Sequence, residues 1–319
     1  NNAVTVNGVM ATVAANTMQT NLTTLANATS TIETSLDVTI PPTAADGPLV
    51  ITIGGQSFTI PEFRITTLAS VMASSGTEGS DATVTVTLDR LAIDDITVTV
   101  STAVSGVGVG NAISGTDFTA LTTQTVTVTA GQLTGTTTVT TIDDNIVERD
   151  ETFNVMLDAG SAMRVGFTPA TTAVGILGGG DLAAITLSDN DLAEVDFTNA
   201  TGTGTEGTND FPVSLTLTIT SIPGGAGVGS ISEAVDTTLA QVAGGMGVLA
   251  VAADFADLQV GTFPANAVSG AMTGASVDLV GGDDLVEGPE TLRLGIAMLS
   301  PATLASAGST QTFTDIAIT

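Results

Sequence analysis

The sequence has no cysteine, histidine, tryptophan, tyrosine or lysine. Its five basic residues are all arginine: Arg64, Arg90, Arg149, Arg164 and Arg293. These absences exclude a great deal. There is no imidazole-activated serine or cysteine, and no Schiff-base lysine. There is no thiolate or imidazole to ligate zinc, copper or haem. There is no disulfide framework. Five cations stand against 33 carboxylates, for a formal net charge of −28, so phosphate is repelled and a nucleic-acid surface is excluded. No apolar run reaches the roughly 18 residues that span a bilayer. The chain opens on Asn1 without a charged-then-apolar leader, which reads as a processed or excised chain. No catalytic residue is expected. The carboxylate pairs of a glycosidase come to mind, but no Trp or Tyr is present to stack a sugar.

What remains for chemistry is oxygen, from carboxylates, hydroxyls and the backbone. Oxygen-only donor sets suit hard cations, calcium above all. Of 319 residues, 43% are hydrophobic, which is enough to build cores. The 58 threonines join Val and Ile as strand formers, and 36 glycines supply turns. The expected fold class is all-β.

The chain repeats itself. Gly76-Thr77-Glu78-Gly79 is echoed by Gly204-Thr205-Glu206-Gly207, and Thr116-Asp117-Phe118 by Ala253-Asp254-Phe255. Asp144-Asn145-Ile146-Val147-Glu148-Arg149-Asp150-Glu151-Thr152 is echoed by Asp283-Asp284-Leu285-Val286-Glu287-Gly288-Pro289-Glu290-Thr291. The order is the same in both copies. Glu78 and Glu206 are 128 residues apart, Asp117 and Asp254 are 137 apart, and Glu148 and Glu287 are 139 apart. The second copy therefore carries about nine extra residues before its Asp-Phe step, placed in the Gly-rich stretch 223–229. In the first copy, alternating runs are expected as strands at 65–72, 82–88, 96–100, 125–129, 136–142, 153–157 and 183–187. Seven short strands at that spacing predict an antiparallel, immunoglobulin-like sandwich. The expected organisation is an N-terminal segment over 1–63, one sandwich over 64–191 and a second over 192–319.

These motifs resemble those of the Calx-beta domains, calcium-binding sandwiches. The resemblance rests on Glu78-Gly79, on Asp117-Phe118, on Asp143 to Glu151 and on the closing Ser188-Asp189-Asn190-Asp191. It implies calcium ligation by Glu78, Asp117, Asp143, Asp144, Glu148 and Glu151, with Asp189 and Asp191 closing the site from the linker between the repeats. In the second repeat the implied ligands are Glu206, Asp254, Asp283, Asp284, Glu287 and Glu290. That repeat departs from the pattern, because Gly282 stands where Asp143 stands and Gly288-Pro289 replaces Arg149-Asp150. The residues themselves point the same way. Six of the ten glutamates fall at the repeated positions, and crowded like charges favour an intervening cation. Ordinary solvated turn acids are the competing reading. If Asp189 and Asp191 share the first repeat's ion, calcium locks the angle between the sandwiches, and self-repulsion loosens it otherwise.

The first 63 residues match neither repeat. Met10, Ala14, Met18, Leu22, Leu25, Ile32 and Leu36 allow an amphipathic helix. The stretch 49–60 around Gly54-Gly55 reads as a hairpin, and residues 2–6 as a short strand at a free end. The segment reads either as a small accessory subdomain packed on the first sandwich or as an assembly element, since a free terminal strand can complete another subunit's sheet. The expected function is a non-catalytic structural subunit of an extracellular or cell-surface fibre, sheath or layer. It would be stiffened by calcium, self-associating through strands, and secreted by a bacterium, with cell-surface or matrix partners. The alternatives are a stalk piece of a large calcium-binding adhesin and a calcium-responsive binding module.

Overall fold

A computed structural model describes residues 3–13, 38–53, 55–104, 110–166, 174–220, 228–245, 247–281 and 289–319. Among them every regular element is a strand. The alternation of Val, Ile and Thr has a direct cause: successive residues of a strand face opposite sides. In Ala82–Leu88 the residues Ala82, Val84, Val86 and Leu88 are buried, and the threonines between them lie further out.

In the first sandwich, one sheet runs in the order Gln124–Val128, Ile96–Val104, Glu151–Leu157, Leu182–Ser188 and Gly76–Thr77, with Met163–Arg164 also paired to Ile96–Val104. The facing sheet runs Thr134–Val139, Ala82–Leu88, Thr67–Ala73 and Val174–Ile176. Their inner faces form one core that includes Val84, Val98, Phe118, Phe153 and Ile185. Burying each such side chain contributes about 1.5–3 kcal/mol. The second sandwich has one sheet of Phe255–Ala256, Met272–Leu279, Phe211–Thr220, Leu192–Phe197 and Ser306–Ala307. The other holds Thr201–Gly204, Phe313–Ile318, Glu290–Ser300, Val235–Gln241 and Gly261–Phe263.

The two sandwiches are joined by backbone. Ile146–Val147 pairs in parallel with Ser230–Ile231. The Ser230 N–H donates to the Asn145 carbonyl at 2.9 Å, and the Ser232 N–H to the Val147 carbonyl at 3.0 Å. Val147, a residue of the first sandwich's loop, is buried in the core of the second. Arg149 and Glu233 close an ion pair across the same joint at 2.7 Å.

The base of the first sandwich is covered in a related way. Ile93 lies 139 residues before Ser232, the spacing that relates Glu148 to Glu287. The Ile93 N–H donates to the Asp46 carboxylate at 3.3 Å, and the Asp46 N–H donates to the Leu91 carbonyl at 3.3 Å. The guanidinium of the fully buried Arg164 lies 2.5 Å from Asp46, whose side chain is equally buried, and 3.1 Å from Asp94. Each sandwich therefore receives the preceding unit at the same backbone positions.

The N-terminal residues form a four-stranded sheet in the order Val9–Met10, Ala3–Val6, Gly47–Ile53 and Gln56–Phe63. The expected hairpin is present, with Leu49 opposite Ile60 and Ile51 opposite Phe58. The expected free terminal strand is not free. Ala3–Val6 pairs with Val9–Met10 on one side and with Gly47–Ile53 on the other, because Val4 and Val6 gain burial only inside that sheet. Met10 of the expected helix belongs to a strand; Ala14, Met18, Leu22, Leu25, Ile32 and Leu36 lie outside the described residues, as do 223–227 of the Gly-rich stretch.

Candidate metal centre

The carboxylates of the first repeat converge where three strands end. Glu78 follows Gly76–Thr77, Glu151 opens Glu151–Leu157, and Asp189 follows Leu182–Ser188. The rings of Phe118 and Phe153 stack in the core with centroids 3.9 Å apart. That stack anchors Asp117, which precedes one ring, and Glu151, two residues before the other. One oxygen each from Asp117, Glu148 and Glu151 lies within 4.8 Å of the others. Oxygens bound to one calcium at about 2.3–2.6 Å are separated by at most about twice that distance. The spacing therefore fits a shared calcium. This is the only such group of carboxylates among the described residues.

The other first-repeat candidates surround this trio. Glu78 is only 7% exposed, and its Oε2 is buried without a hydrogen-bond partner among the described residues. An orphaned buried carboxylate oxygen is costly unless a cation or proton meets it, so the donor set fits a hard cation. Asp144 accepts from the Ile146 N–H at 2.7 Å. Asp189 accepts from the Glu148 N–H at 2.5 Å and from the Asp191 N–H at 2.7 Å, tying the linker to the loop. Asp191 is buried beside them. Asp143 faces Asn190, whose Nδ2 donates to it at 2.6 Å and to the Glu78 carbonyl at 3.2 Å.

The electrostatics record the crowding. Burial, then the charges of Asp189, Asp144, Glu148 and Asp117, push the Glu78 carboxyl up to about 9. Burial, followed by a hydrogen bond and repulsion from Asp117, raises Glu151 to about 8. Burial and the neighbouring acids raise Glu148 to about 7 and Asp189 to about 6. Asp144 is raised as well, burial first. Without a cation the cluster holds protons, and a divalent ion would replace them.

The second repeat builds part of the same frame. The Val280 N–H donates to the Asp254 carbonyl as the Ile142 N–H donates to that of Asp117, both at 2.9 Å. The Asp254 carboxylate accepts from the Val251 N–H, as that of Asp117 does from the Ile113 N–H. The residue in Asp143's place is then Gly281, one position earlier than the motif alignment indicates. A Cβ on Gly281 would lie 2.6 Å from the Gly207 nitrogen, so no side chain fits there. Glu206 is exposed, whereas Glu78 is buried, and Glu290 opens its strand half-buried. Asp283, Asp284 and Glu287 lie outside the described residues.

Sequence reasoning missed three contributors. Asn190 stands in the closing acidic run as an uncharged residue with no evident role in the sequence. Val147 reads in the sequence only as an apolar residue between candidate ligands. Glu233, the partner of Arg149, lies outside every motif. A cleft of about 570 Å³ also opens between the sandwiches, lined by the charged Glu148, Arg149, Asp150, Asp189 and Asp191 and by apolar residues that include Leu192, Ala302 and Leu304.

Two sandwiches with a buried, cation-ready acidic loop at their junction define the class of protein. The Calx-beta domain family model matches residues 70–179, which lie within the first sandwich. The second sandwich lies outside the matched residues. Among solved structures, the chain is similar to CBD12 from CALX1.2 (14% identity over 79% of this chain and 99% of that one, TM-score 0.34). It is also similar to the calcium binding domain CBD12 of CALX1.1 (13% identity, 77% and 98% covered, TM-score 0.31). The apo-form Calx CBD1 domain shares 19% identity over 38% of this chain and 98% of that one, with a TM-score of 0.28. No curated protein matches the sequence.

Proposed function

We propose that the chain is a non-catalytic structural module of a secreted or surface-displayed protein, in which calcium braces the joint between two sandwiches. The observation that carries this reading is Val147. It is buried in the second sandwich's core, while Asp144 and Glu148 on either side of it belong to the acidic cluster. An ion held by Asp117, Glu148 and Glu151, with Glu78, Asp144 and Asp189 around it, would order the loop that joins the two bodies. Asp189 and Asp191, just before the second sandwich's first strand, would tighten the same point. Bound calcium would supply positive charge and oxygen coordination; the chain supplies a preformed shell.

The test is thermal. Calcium should raise the melting temperature and chelator should lower it, with Glu148→Ala/Glu151→Ala abolishing the difference. Identical wild-type melting with and without chelator would refute the calcium reading. A fibre built by exchange of residues 2–6 has less support, since Ala3–Val6 would have to leave an interior position in its own sheet. A calcium-responsive binding module is the second reading, favoured by the mixed acidic and apolar walls of the inter-sandwich cleft.

A further inference from the structure

Among the described residues, the N-terminal sheet ends on an unpaired edge strand. Gln56–Phe63 is its outermost strand, and among the described residues no other strand pairs with its outer side. Proteins usually protect such edges with short strands or charge. The opposite edge of this sheet is only the two-residue strand Val9–Met10, but Gln56–Phe63 is eight residues long. Its side chains continue an apolar face. Phe58 sits beside Ile51 and Ile51 beside Val4; Ile60 sits beside Leu49 and Leu49 beside Val6. That face grades from Val4 and Val6, at 2% and 0% exposed, through half-buried Ile51 and Leu49, to Phe58 at 64% and Ile60 at 38%. Among the described residues no strand extends the apolar surface beyond this edge.

Charge indicates what covers it. In a chain of net charge −28, residues 47–61 carry none. Elsewhere two copies repel one another; along this hairpin they can approach. The strand is also self-complementary. In an antiparallel pairing centred on Thr59, Phe58 faces the partner's Ile60 on the apolar side, a favourable aromatic–branched pair made twice. Glu62 then faces the partner's Gln56, so like charges do not meet. Pro61, lacking an N–H, limits the ladder to the middle of the strand.

We propose that Gln56–Phe63 is a self-recognition edge on which a second copy of this chain adds antiparallel about a two-fold axis. The contact is isologous and closes at two, and it does not depend on calcium. Sedimentation equilibrium of the full chain, over a dilution series from millimolar to micromolar, should show a reversible monomer–dimer equilibrium, with and without chelator. Phe58→Glu should weaken dimerisation by on the order of tenfold while leaving the melting temperature of the dilute, monomeric protein unchanged. For wild type, amide exchange at residues 57–60 should slow as concentration rises, a readout that needs no variant. A monomer at every concentration, a dimer untouched by Phe58→Glu, concentration-independent exchange, or growth beyond two copies would each overturn the proposal.

Discussion

Glu78 shows what the acidic loop asks of single residues. Its carboxyl is buried among other acids and holds its proton to about pH 9, followed by Glu151 at about 8, Glu148 at about 7 and Asp189 at about 6. All four folded values lie above the unfolded ones. The stability they contribute is therefore complete below about pH 4, where the unfolded chain is also protonated, and is lost as pH rises towards 9. Calcium needs the same groups ionised. The melting-temperature difference between calcium-loaded and chelated protein should thus widen from pH 5 to pH 8; a constant difference would contradict the assignment. Arg164 is a second case. Its guanidinium and the Asp46 carboxylate are both fully buried, so removing one partner strands the other. Arg164→Met should cost about 3–5 kcal/mol in denaturant unfolding, and Arg164→Met/Asp46→Leu should cost less than the single change. Neither partner is evident in the sequence, because nothing local marks an arginine that will pair with an acid 118 residues away.

At the scale of elements, legibility follows periodicity. Ala82–Leu88 and Glu151–Leu157 appear near their expected positions because one face of each is buried, and that writes an alternation into the sequence. The acidic loop is legible for another reason: its motif occurs twice. The loop's second task is not legible. Ile146 and Val147 read as two apolar residues in a motif, and only the parallel pairing with Ser230–Ile231 shows that they leave their own sandwich. The equivalent backbone of the first sandwich, at Ile93, is occupied by Asp46, so the residues before 64 close it much as the first sandwich closes the second. Val147→Asp should place a charge in the second core and open the joint while sparing the ion ligands. Because the ion and the closed joint support one another, calcium affinity should fall by calorimetry and solution scattering should report a more extended particle; an unchanged scattering profile would argue that Val147 does not hold the joint.

For the whole molecule, the two repeats differ among the described residues. The first keeps a buried carboxylate cluster, and the second keeps the backbone frame around Asp254 but has Gly281 packed against Gly207 where Asp143 would stand. The net charge of −28 accordingly has one dense centre among the described residues, at the junction, where a divalent ion has the greatest leverage over shape. The absence of cysteine makes this directly measurable, since Thr136→Cys and Thr218→Cys give one spin label on an exposed strand position of each sandwich. The inter-label distance distribution, recorded with calcium and with chelator, tests the central claim. A single narrow distribution in calcium that broadens on chelation is the predicted result. Equal widths in both conditions would show that the ion does not brace the joint.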